Sequence, residues 1–172
     1  MQPFIPHQKI LLAAKSIAQK IDKRYEECRP SKPIVLVGVL NGAVMIMSEI
    51  MKQLKSECEI DFIQVSSYDG FFSKGKLKWH KKPTLDLRGR FVIIVEDIVD
   101  TGLTMREVLD YLSNKHKPTH IEVATLLARE GVMFIPEYYG YLIPKDKFVV
   151  GFGMDYNGVQ RNSADIYVKK IT

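Results

Sequence analysis

The sequence predicts an α/β protein in which a parallel sheet is flanked by helices on both faces. Short segments such as residues 33–39 and 91–95 are apolar throughout, as strands buried on both faces of a parallel sheet usually are. Between such segments, apolar residues recur at helical spacing. Ligands of these sheets bind at the carboxyl ends of the strands, so the segment that follows each strand is a candidate binding loop.

The first elements are a helix, a strand and a second helix. The first helix is predicted to begin after residues 4–6 and to cover one side of the sheet. Its apolar face is formed by Ile10, Ala14, Ile17 and Ile21. Strand 33–39 then leads through a glycine-containing turn into a helix with a second apolar face, formed by Ala43, Met47, Ile50, Met51 and Leu54. The turn, residues 40–43, is either an ordinary strand-to-helix connection or a binding loop.

A third strand, residues 60–68, leads into a long loop. Residues 69–83 contain glycine and many lysines without regular periodicity, and a loop of this length is usually functional or disordered. The lysines are Lys74, Lys76, Lys78, Lys81 and Lys82. They either attract an anionic substrate or keep an exposed loop soluble. No role is predicted for Trp79.

Three carboxylates follow the central strand, residues 91–95. We expect Glu96 and Asp97 at its carboxyl end, where they would accept hydrogen bonds from the vicinal hydroxyl groups of a ribose. The third acid, Asp100, precedes a helix that is predicted to begin near Gly102 and to end near residue 114.

The turn before this helix is a predicted phosphate site. Backbone N–H groups and the helix dipole attract an anion there, Thr101 and Thr104 add hydroxyl donors, and Gly102 lets the phosphate approach the backbone. The acids and the turn together predict a site for a ribose 5-phosphate. The alternative is that the acids form a solvated strand end and that Asp100 only caps the helix.

The last predicted elements are strand 120–127, followed by Arg129, and a closing segment that contains residues 147–157 and Arg161. On their own, Phe148 and Phe152 indicate core aromatic residues, and Arg129 and Arg161 indicate surface charges.

In the order of these motifs, the chain resembles the type I phosphoribosyltransferases. That family has a parallel sheet flanked by helices, a small hood and a mobile lid loop, and two acids and a Thr-Gly turn bind phosphoribosyl pyrophosphate (PRPP). An acid directly before Thr-Gly, here Asp100, resembles the pattern of the 6-oxopurine branch of that family, the hypoxanthine-guanine phosphoribosyltransferases. The resemblance implies ribose and 5-phosphate contacts from Glu96, Asp97, Asp100, Thr101, Gly102, Leu103 and Thr104.

The resemblance also implies a pyrophosphate site. Leu40, Asn41 and Gly42 would bind pyrophosphate together with Arg161, and the family often has a cis peptide bond between the first two loop residues. The family pair is commonly Leu-Lys, so Asn41 removes a positive charge. Mg²⁺ is the implied cofactor, and its implied ligands are Asp155, Glu96 and Asp97.

The remaining implied residues surround the base. Ser67 and Tyr68 would begin the lid, which spans about residues 67–83. Phe148 would stack on the purine and Val149 would offer backbone groups to its edge. Arg129 stands where the family usually has a lysine that hydrogen-bonds the 6-oxo group, and arginine does not replace lysine neutrally.

The resemblance implies transfer of a 5-phosphoribosyl group from PRPP to N9 of hypoxanthine or guanine. Asp100 would be the catalytic residue, acting as a general base or a hydrogen-bond acceptor toward N7. The alternatives are an enzyme that prefers xanthine or adenine, which Arg129 leaves open, and a PRPP-binding RNA regulator of the same fold. The formal charge of +5 suits an anionic small substrate and also permits nucleic-acid binding, but the basic residues concentrate at positions 74–82. We therefore expect no nucleic-acid partner.

Composition agrees with one enzyme domain over residues 1–172. The chain is 46% hydrophobic and 26% charged, with no linker or internal repeat, and its N- and C-terminal segments are expected to form the hood. No apolar run approaches the roughly 20 residues of a membrane span. Cys28 and Cys58 are too few for a disulfide framework, and they lack neighbours for a zinc site. We expect a cytoplasmic protein without a membrane partner, and the family implies a homodimer or homotetramer.

Overall fold

The computed structural model describes residues 2–67, 77–132 and 134–170. Within them, a six-stranded sheet has the order β3-β2-β1-β4-β5-β6 and is parallel except for β3, which runs antiparallel to β2. Its strands are β1 (Ile34–Val39), β2 (Cys58–Ser67), β3 (Leu77–Lys81), β4 (Phe91–Val99), β5 (His120–Arg129) and β6 (Tyr138–Ile143). The helices are α1 (His7–Cys28), α2 (Val44–Gln53) and α3 (Leu103–His116). The predicted α/β class is confirmed.

Both faces of the sheet are buried, which explains the uniformly apolar strands. On one face, α1 and α2 pack through residues such as Ile17 and Ile46 in the same cluster as Ile93. On the other face, Val108 of α3 packs in the cluster that contains Ile94. Because side chains of a strand alternate between faces, consecutive residues of the first part of β4, residues 91–95, enter opposite cores and all are apolar.

The central strand β4 is longer than predicted. Pairing with β5 continues beyond the apolar run, with Glu96 opposite Thr125 and Ile98 opposite Leu127. Glu96 and Asp97 therefore belong to the carboxyl-terminal part of β4 rather than to the segment after it. The acids interrupt the apolar pattern on which the prediction depended, but they do not interrupt the backbone hydrogen bonds.

Two edge strands were not predicted. The segment expected to be an irregular loop up to residue 83 contains β3, and this part of the prediction is wrong. Its residues alternate between half-buried and exposed, and Trp79 packs on Tyr111 of α3 with ring centroids 4.3 Å apart. The other unpredicted strand, β6, forms the opposite edge of the sheet.

A second, two-stranded sheet lies beside the chain termini. It consists of β7 (Val149–Val150) and β8 (Tyr167–Val168), which pair antiparallel. Ile5 and Ile166 exchange backbone hydrogen bonds of 3.1 and 3.0 Å, so the N-terminal segment joins this region. Among the described residues, no helix has both the length and the apolar character needed to cross a membrane.

Candidate active site

A cleft of about 320 Å³ opens at the carboxyl ends of β1, β4 and β5 and faces the small sheet. Most of the residues predicted to form the site line it: Leu40, Asn41, Gly42, Glu96, Asp97, Asp100, Thr104, Arg129, Phe148, Val149, Asp155 and Arg161. An adjoining cavity of about 200 Å³ is lined by Glu96, Asp97 and the turn that includes Thr101 and Gly102. Leu103 lies outside both and is 54% exposed.

The predicted lid residues are only partly described. The backbone of Ser67 ends β2, whereas Tyr68 and residues 69–76 lie outside the described residues. A larger cavity of about 890 Å³ is elsewhere, between the N-terminal segment and β8, and none of the predicted site residues lines it.

The two acids of β4 differ in their surroundings. Asp97 is buried and its Oδ1 accepts a hydrogen bond of 2.8 Å from the Ile98 backbone N–H, while Glu96 is half-buried and accepts one of 3.1 Å from the Asp97 N–H. Burial and then the Asp97 charge raise the pKa of Glu96, and burial raises the pKa of Asp97. The pair therefore favours partners that supply protons or positive charge, such as ribose hydroxyl groups or a cation.

The acids suit Mg²⁺, but they cannot surround it alone. No group of three or more His, Cys, Asp or Glu residues suited to a metal occurs in the described part of the chain. Mg²⁺ prefers oxygen ligands and is commonly held by one or two carboxylates, with water and substrate oxygens completing its shell. Glu96 and Asp97 fit that mode of binding.

The turn between β4 and α3 has the shape of an anion site. Gly102 has φ +83°, a conformation that glycine adopts without steric cost, and a Cβ atom there would stand 2.7 Å from Cβ of Phe134. The first N–H of α3, that of Leu103, donates to Thr101 Oγ1 at 3.3 Å rather than to Asp100, so the alternative in which Asp100 only caps the helix is wrong. The α3 N-terminus thus presents backbone N–H groups beside the Thr101 and Thr104 hydroxyls.

The loop after β1 closes the other side of the cleft. The peptide bond between Leu40 and Asn41 is cis, as the resemblance implied. Gly42 lies against Asp97 on one side, and on the other its carbonyl oxygen lies 2.2 Å from where a Cβ atom of Gly153 would be. Gly153 was not predicted as a site residue, although its position in a glycine-rich segment, residues 151–153, was a signal.

Asp100 and Arg129 form an ion pair across the cleft. Arg129 Nε donates to Asp100 Oδ1 at 2.5 Å, and its Nη1 donates to the carbonyl oxygens of Pro144 and Lys147 at 3.1 and 2.6 Å. The sequence did not predict this pair. Contact between Arg129 and a purine stays a prediction.

The wall toward the small sheet carries the predicted base-binding residues. Phe148 is half-buried and its ring meets the Tyr156 ring edge-on at 5.8 Å, while Val149 is buried in β7. Arg161 forms an ion pair with Asp155, with Nη2 2.7 Å from Oδ1, and its Nη1 donates a hydrogen bond of 2.6 Å to the Gly153 carbonyl oxygen. Asp155 also accepts a 2.6 Å hydrogen bond from the Gly158 N–H, so a metal ion at Asp155 would have to share it with Arg161.

A mainly parallel sheet with two acids at the end of its central strand, a Thr-Gly turn at a helix N-terminus and an aromatic wall over one cleft defines a protein of the phosphoribosyl-transferring class. In agreement, the phosphoribosyl transferase domain family matches residues 6–157. The hypoxanthine-guanine phosphoribosyltransferase of Aquifex aeolicus is 36% identical over 168 residues, 93% of each chain. That of Streptococcus pyogenes is 39% identical over 165 residues, 94% of this chain and 88% of the relative.

Solved structures show the same likeness. A hypoxanthine phosphoribosyltransferase from Staphylococcus aureus has a TM-score of 0.89 at 32% identity and covers 98% of this chain and 91% of its own. A mutant of the Trypanosoma cruzi enzyme, complexed with the product IMP, has a TM-score of 0.90 at 30% identity, over 99% of this chain and 91% of its own. The chain belongs to the phosphoribosyltransferase family, in its hypoxanthine-guanine branch.

Proposed function

We propose that this protein is a purine salvage enzyme that transfers the 5-phosphoribosyl group of PRPP to N9 of hypoxanthine or guanine, giving IMP or GMP and pyrophosphate. Relatives that carry the name of this activity, and a neighbouring structure with IMP, support the assignment. The observation that carries it is that two adjoining cavities share Glu96 and Asp97, with the phosphate turn at one end and Phe148 at the other.

PRPP binding is assigned to the β4 acids and the turn that follows them. The α3 N-terminus and the hydroxyls of Thr101 and Thr104 would bind the 5-phosphate. Gly102 would contribute its backbone N–H, and Leu103 would contribute one that donates to Thr101 Oγ1 in the free protein. Glu96 and Asp97 would accept hydrogen bonds from the two ribose hydroxyls. The raised pKa values of both acids support this pairing, because hydroxyl donors offset the cost of burying the charges.

Pyrophosphate is assigned to the loop after β1 and to Arg161. Leu40, Asn41 and Gly42 would contribute backbone groups, and Arg161 the positive charge, after leaving Asp155 or sharing it with the ligand. Glu96, Asp97 and Asp155 are the carboxylates that would hold Mg²⁺, with Glu96 and Asp97 at one position and Asp155 at another, because the described residues contain no group of three acids suited to one ion. When bound, this ion would neutralise charge on PRPP and on the departing pyrophosphate.

The base is assigned to the Phe148 wall. Phe148 would stack on the purine ring, Val149 would offer backbone groups to its edge, and Arg129 would approach the 6-oxo group. This placement puts the base between Phe148 and Asp100, both of which line the cleft. Aromatic stacking supplies area at low entropic cost, while the polar groups select the base edge.

The mechanism follows from where charge develops. As the bond from C1 to the pyrophosphate oxygen breaks, positive charge grows on the ribose and negative charge on the leaving group. Glu96 and Asp97 lie on the ribose side and Arg161 on the leaving side, so electrostatics and positioning supply most of the catalysis. Asp100 would accept the N7 proton of the purine and make N9 the better nucleophile, a role typically worth about 10² to 10⁴ in rate.

The test is an assay of the purified protein with PRPP, Mg²⁺ and one base at a time: hypoxanthine, guanine, xanthine, adenine or uracil. We expect nucleotide and pyrophosphate in equal amounts with hypoxanthine or guanine. Asp100→Asn should abolish most turnover while leaving the thermal midpoint unchanged, because 64% of the Asp100 side chain is exposed. Product with xanthine or adenine alone would contradict the assigned base, and absence of product with every base would contradict the activity.

Three further points belong to the same proposal. The small sheet and the termini would form the hood of a single domain, and the lid, predicted for about residues 67–83, would include β3. The enzyme would act in the cytoplasm. It would assemble as a homodimer or homotetramer, which sedimentation analysis would measure directly.

A further inference from the structure

Arg129 donates hydrogen bonds to Asp100 and to three backbone carbonyl groups, the longest of which, to Lys145, is 3.5 Å. It ends β5, and its side chain is only 11% exposed. Its Nε donates to Asp100 Oδ1 at 2.5 Å, and its Nη1 donates to the Pro144 and Lys147 carbonyl oxygens at 3.1 and 2.6 Å. A well-packed guanidinium thus holds a carboxylate that is itself 64% exposed.

The geometry of arginine matters for this arrangement. Nε and Nη1 are separate donors in one rigid plane, so the carbonyl groups that bind Nη1 also fix the direction in which Nε points. Those carbonyls belong to the connection between β6 and β7, which ends at Phe148. The position of the Asp100 carboxylate is therefore tied to the segment that carries the proposed stacking residue.

We propose that Arg129 is a positioning residue that aims the Asp100 carboxylate at the purine. This inference rests on the proposed function, in which Asp100 accepts the N7 proton. Because Arg129 Nε binds Oδ1 of Asp100, Oδ2 is the oxygen that accepts the N7 proton of the base. The ion pair also orders the exposed Asp100 side chain before the purine binds, so this entropy cost does not recur in each turnover. The role is additional to a contact between Arg129 and the 6-oxo group.

The two roles of Arg129 predict different kinetics. If Arg129 positions Asp100, its substitution lowers kcat equally with hypoxanthine and guanine and leaves the KM for PRPP unchanged. This effect on kcat requires a carboxylate at position 100. Loss of a 6-oxo contact raises the KM for the base and weakens discrimination between hypoxanthine and adenine, whatever residue is at position 100.

The experiment is a double-mutant cycle of Arg129→Gln and Asp100→Asn, with kcat and KM measured for hypoxanthine, guanine and PRPP. Arg88→Gln is the matched control, because Arg88 is 77% exposed and precedes β4 at the opposite end of the sheet. We expect Arg129→Gln to lower kcat about 10- to 100-fold. This loss is smaller than the loss expected on removing the general base itself, because the Asp100 carboxylate remains present. In the Asp100→Asn background the same change should lower kcat less than about twofold, since interacting residues are not additive.

A purely structural effect gives a different result. If Arg129→Gln only disturbs the connection to Phe148, the losses of the two single variants multiply, and this would overturn the inference. If the variant has a lowered thermal midpoint, the cycle is repeated with Arg129→Lys, which keeps the charge but not the planar fork, and multiplied losses again overturn it. Inactive unsubstituted enzyme would instead overturn the proposed function.

Discussion

Gly42 lies directly against the Asp97 carboxylate. A Cβ atom at position 42 would stand 1.9 Å from Asp97 Oδ2, and none of the three atoms of that carboxyl group would be farther than 2.8 Å. Asp97 has little freedom to withdraw, because it is buried and its Oδ1 is bound to the Ile98 N–H. The loop after β1 and the acids of β4 are therefore in contact through a position that admits only glycine.

Gly42→Ala is expected to weaken PRPP binding. The added methyl group must displace either Asp97 or the loop, and such overpacking costs about 1–3 kcal/mol, equivalent to a loss of PRPP affinity of about 5- to 150-fold. The measurement is PRPP affinity by calorimetry with Mg²⁺. Ser113→Ala is the control, because Ser113 is exposed on α3 and lines neither of the two cavities of the site. Unchanged PRPP affinity in Gly42→Ala would show that the loop or Asp97 moves to admit the methyl group without cost to binding.

Asp97→Asn is expected to weaken PRPP binding about tenfold and to leave base binding nearly unchanged. The amide is isosteric and can still accept from the Ile98 N–H, but it lacks the charge needed for a cation and for strong ribose hydrogen bonds. The measurement is KM for PRPP and for hypoxanthine, with the exposed Asp110 changed to Asn as control. Equal weakening of both substrates would contradict the assignment of Asp97 to PRPP.

The same substitution should not lower stability. Burial raises the pKa of Asp97, so at neutral pH the folded protein bears the cost of a buried charge that the amide removes. A thermal midpoint that stays constant or rises, together with weaker PRPP binding, would mark Asp97 as a residue kept for function at the expense of stability.

Local patterns predicted the central elements and the parts of the site that are contiguous in sequence. The apolar runs of β1, β4 and β5 and the helical spacing of α1 and α3 follow from burial of whole faces. The β4 acids and the turn at Gly102 are neighbours along the chain, so the sequence places them together.

Contacts between distant loops could not be predicted. The pair of Asp100 and Arg129 joins the ends of two strands, and Gly153 reaches Gly42 from another part of the chain. A linear pattern reports which face of an element is buried, but it does not report which side chains meet where strands end. The edge strand β6 was missed because its mixed burial does not give a uniform apolar run.

Phe148→Ala is expected to raise KM for hypoxanthine and guanine about tenfold, because stacking of a base on an aromatic side chain contributes about 1–3 kcal/mol. PRPP affinity should not change, since the ring lines the base end of the cleft. Phe4→Ala is the control, since Phe4 is 39% exposed and lines the separate cavity near the N-terminus. Unchanged KM for both bases would exclude stacking as the role of Phe148.

Asp61 of β2 fixes the segment that follows β3. The carboxylate is buried and accepts hydrogen bonds from the backbone N–H groups of Phe62, Thr84 and Leu85 at 2.7, 2.6 and 2.9 Å. Lys81 Nζ donates to it at 3.1 Å. Burial alone would raise the pKa of Asp61, but the donors outweigh burial and lower it.

Asp61→Asn is expected to lower the free energy of unfolding by about 3 kcal/mol at pH 7, because an amide nitrogen would face backbone N–H donors. The effect should depend on pH in a definite direction. The pKa of Asp61 is lower in the folded protein than the ordinary value of 3.8, so its ionised form contributes stability above that value. This contribution is lost as the pH falls from about 4 through the lower folded pKa.

The measurement is urea unfolding of the unsubstituted protein and of Asp61→Asn between pH 7 and pH 3. The exposed Asp110→Asn variant is the control. We expect the difference between Asp61→Asn and the unsubstituted protein to shrink at the acidic end, and a difference that stays constant would show that the Asp61 charge is not what holds the segment in place.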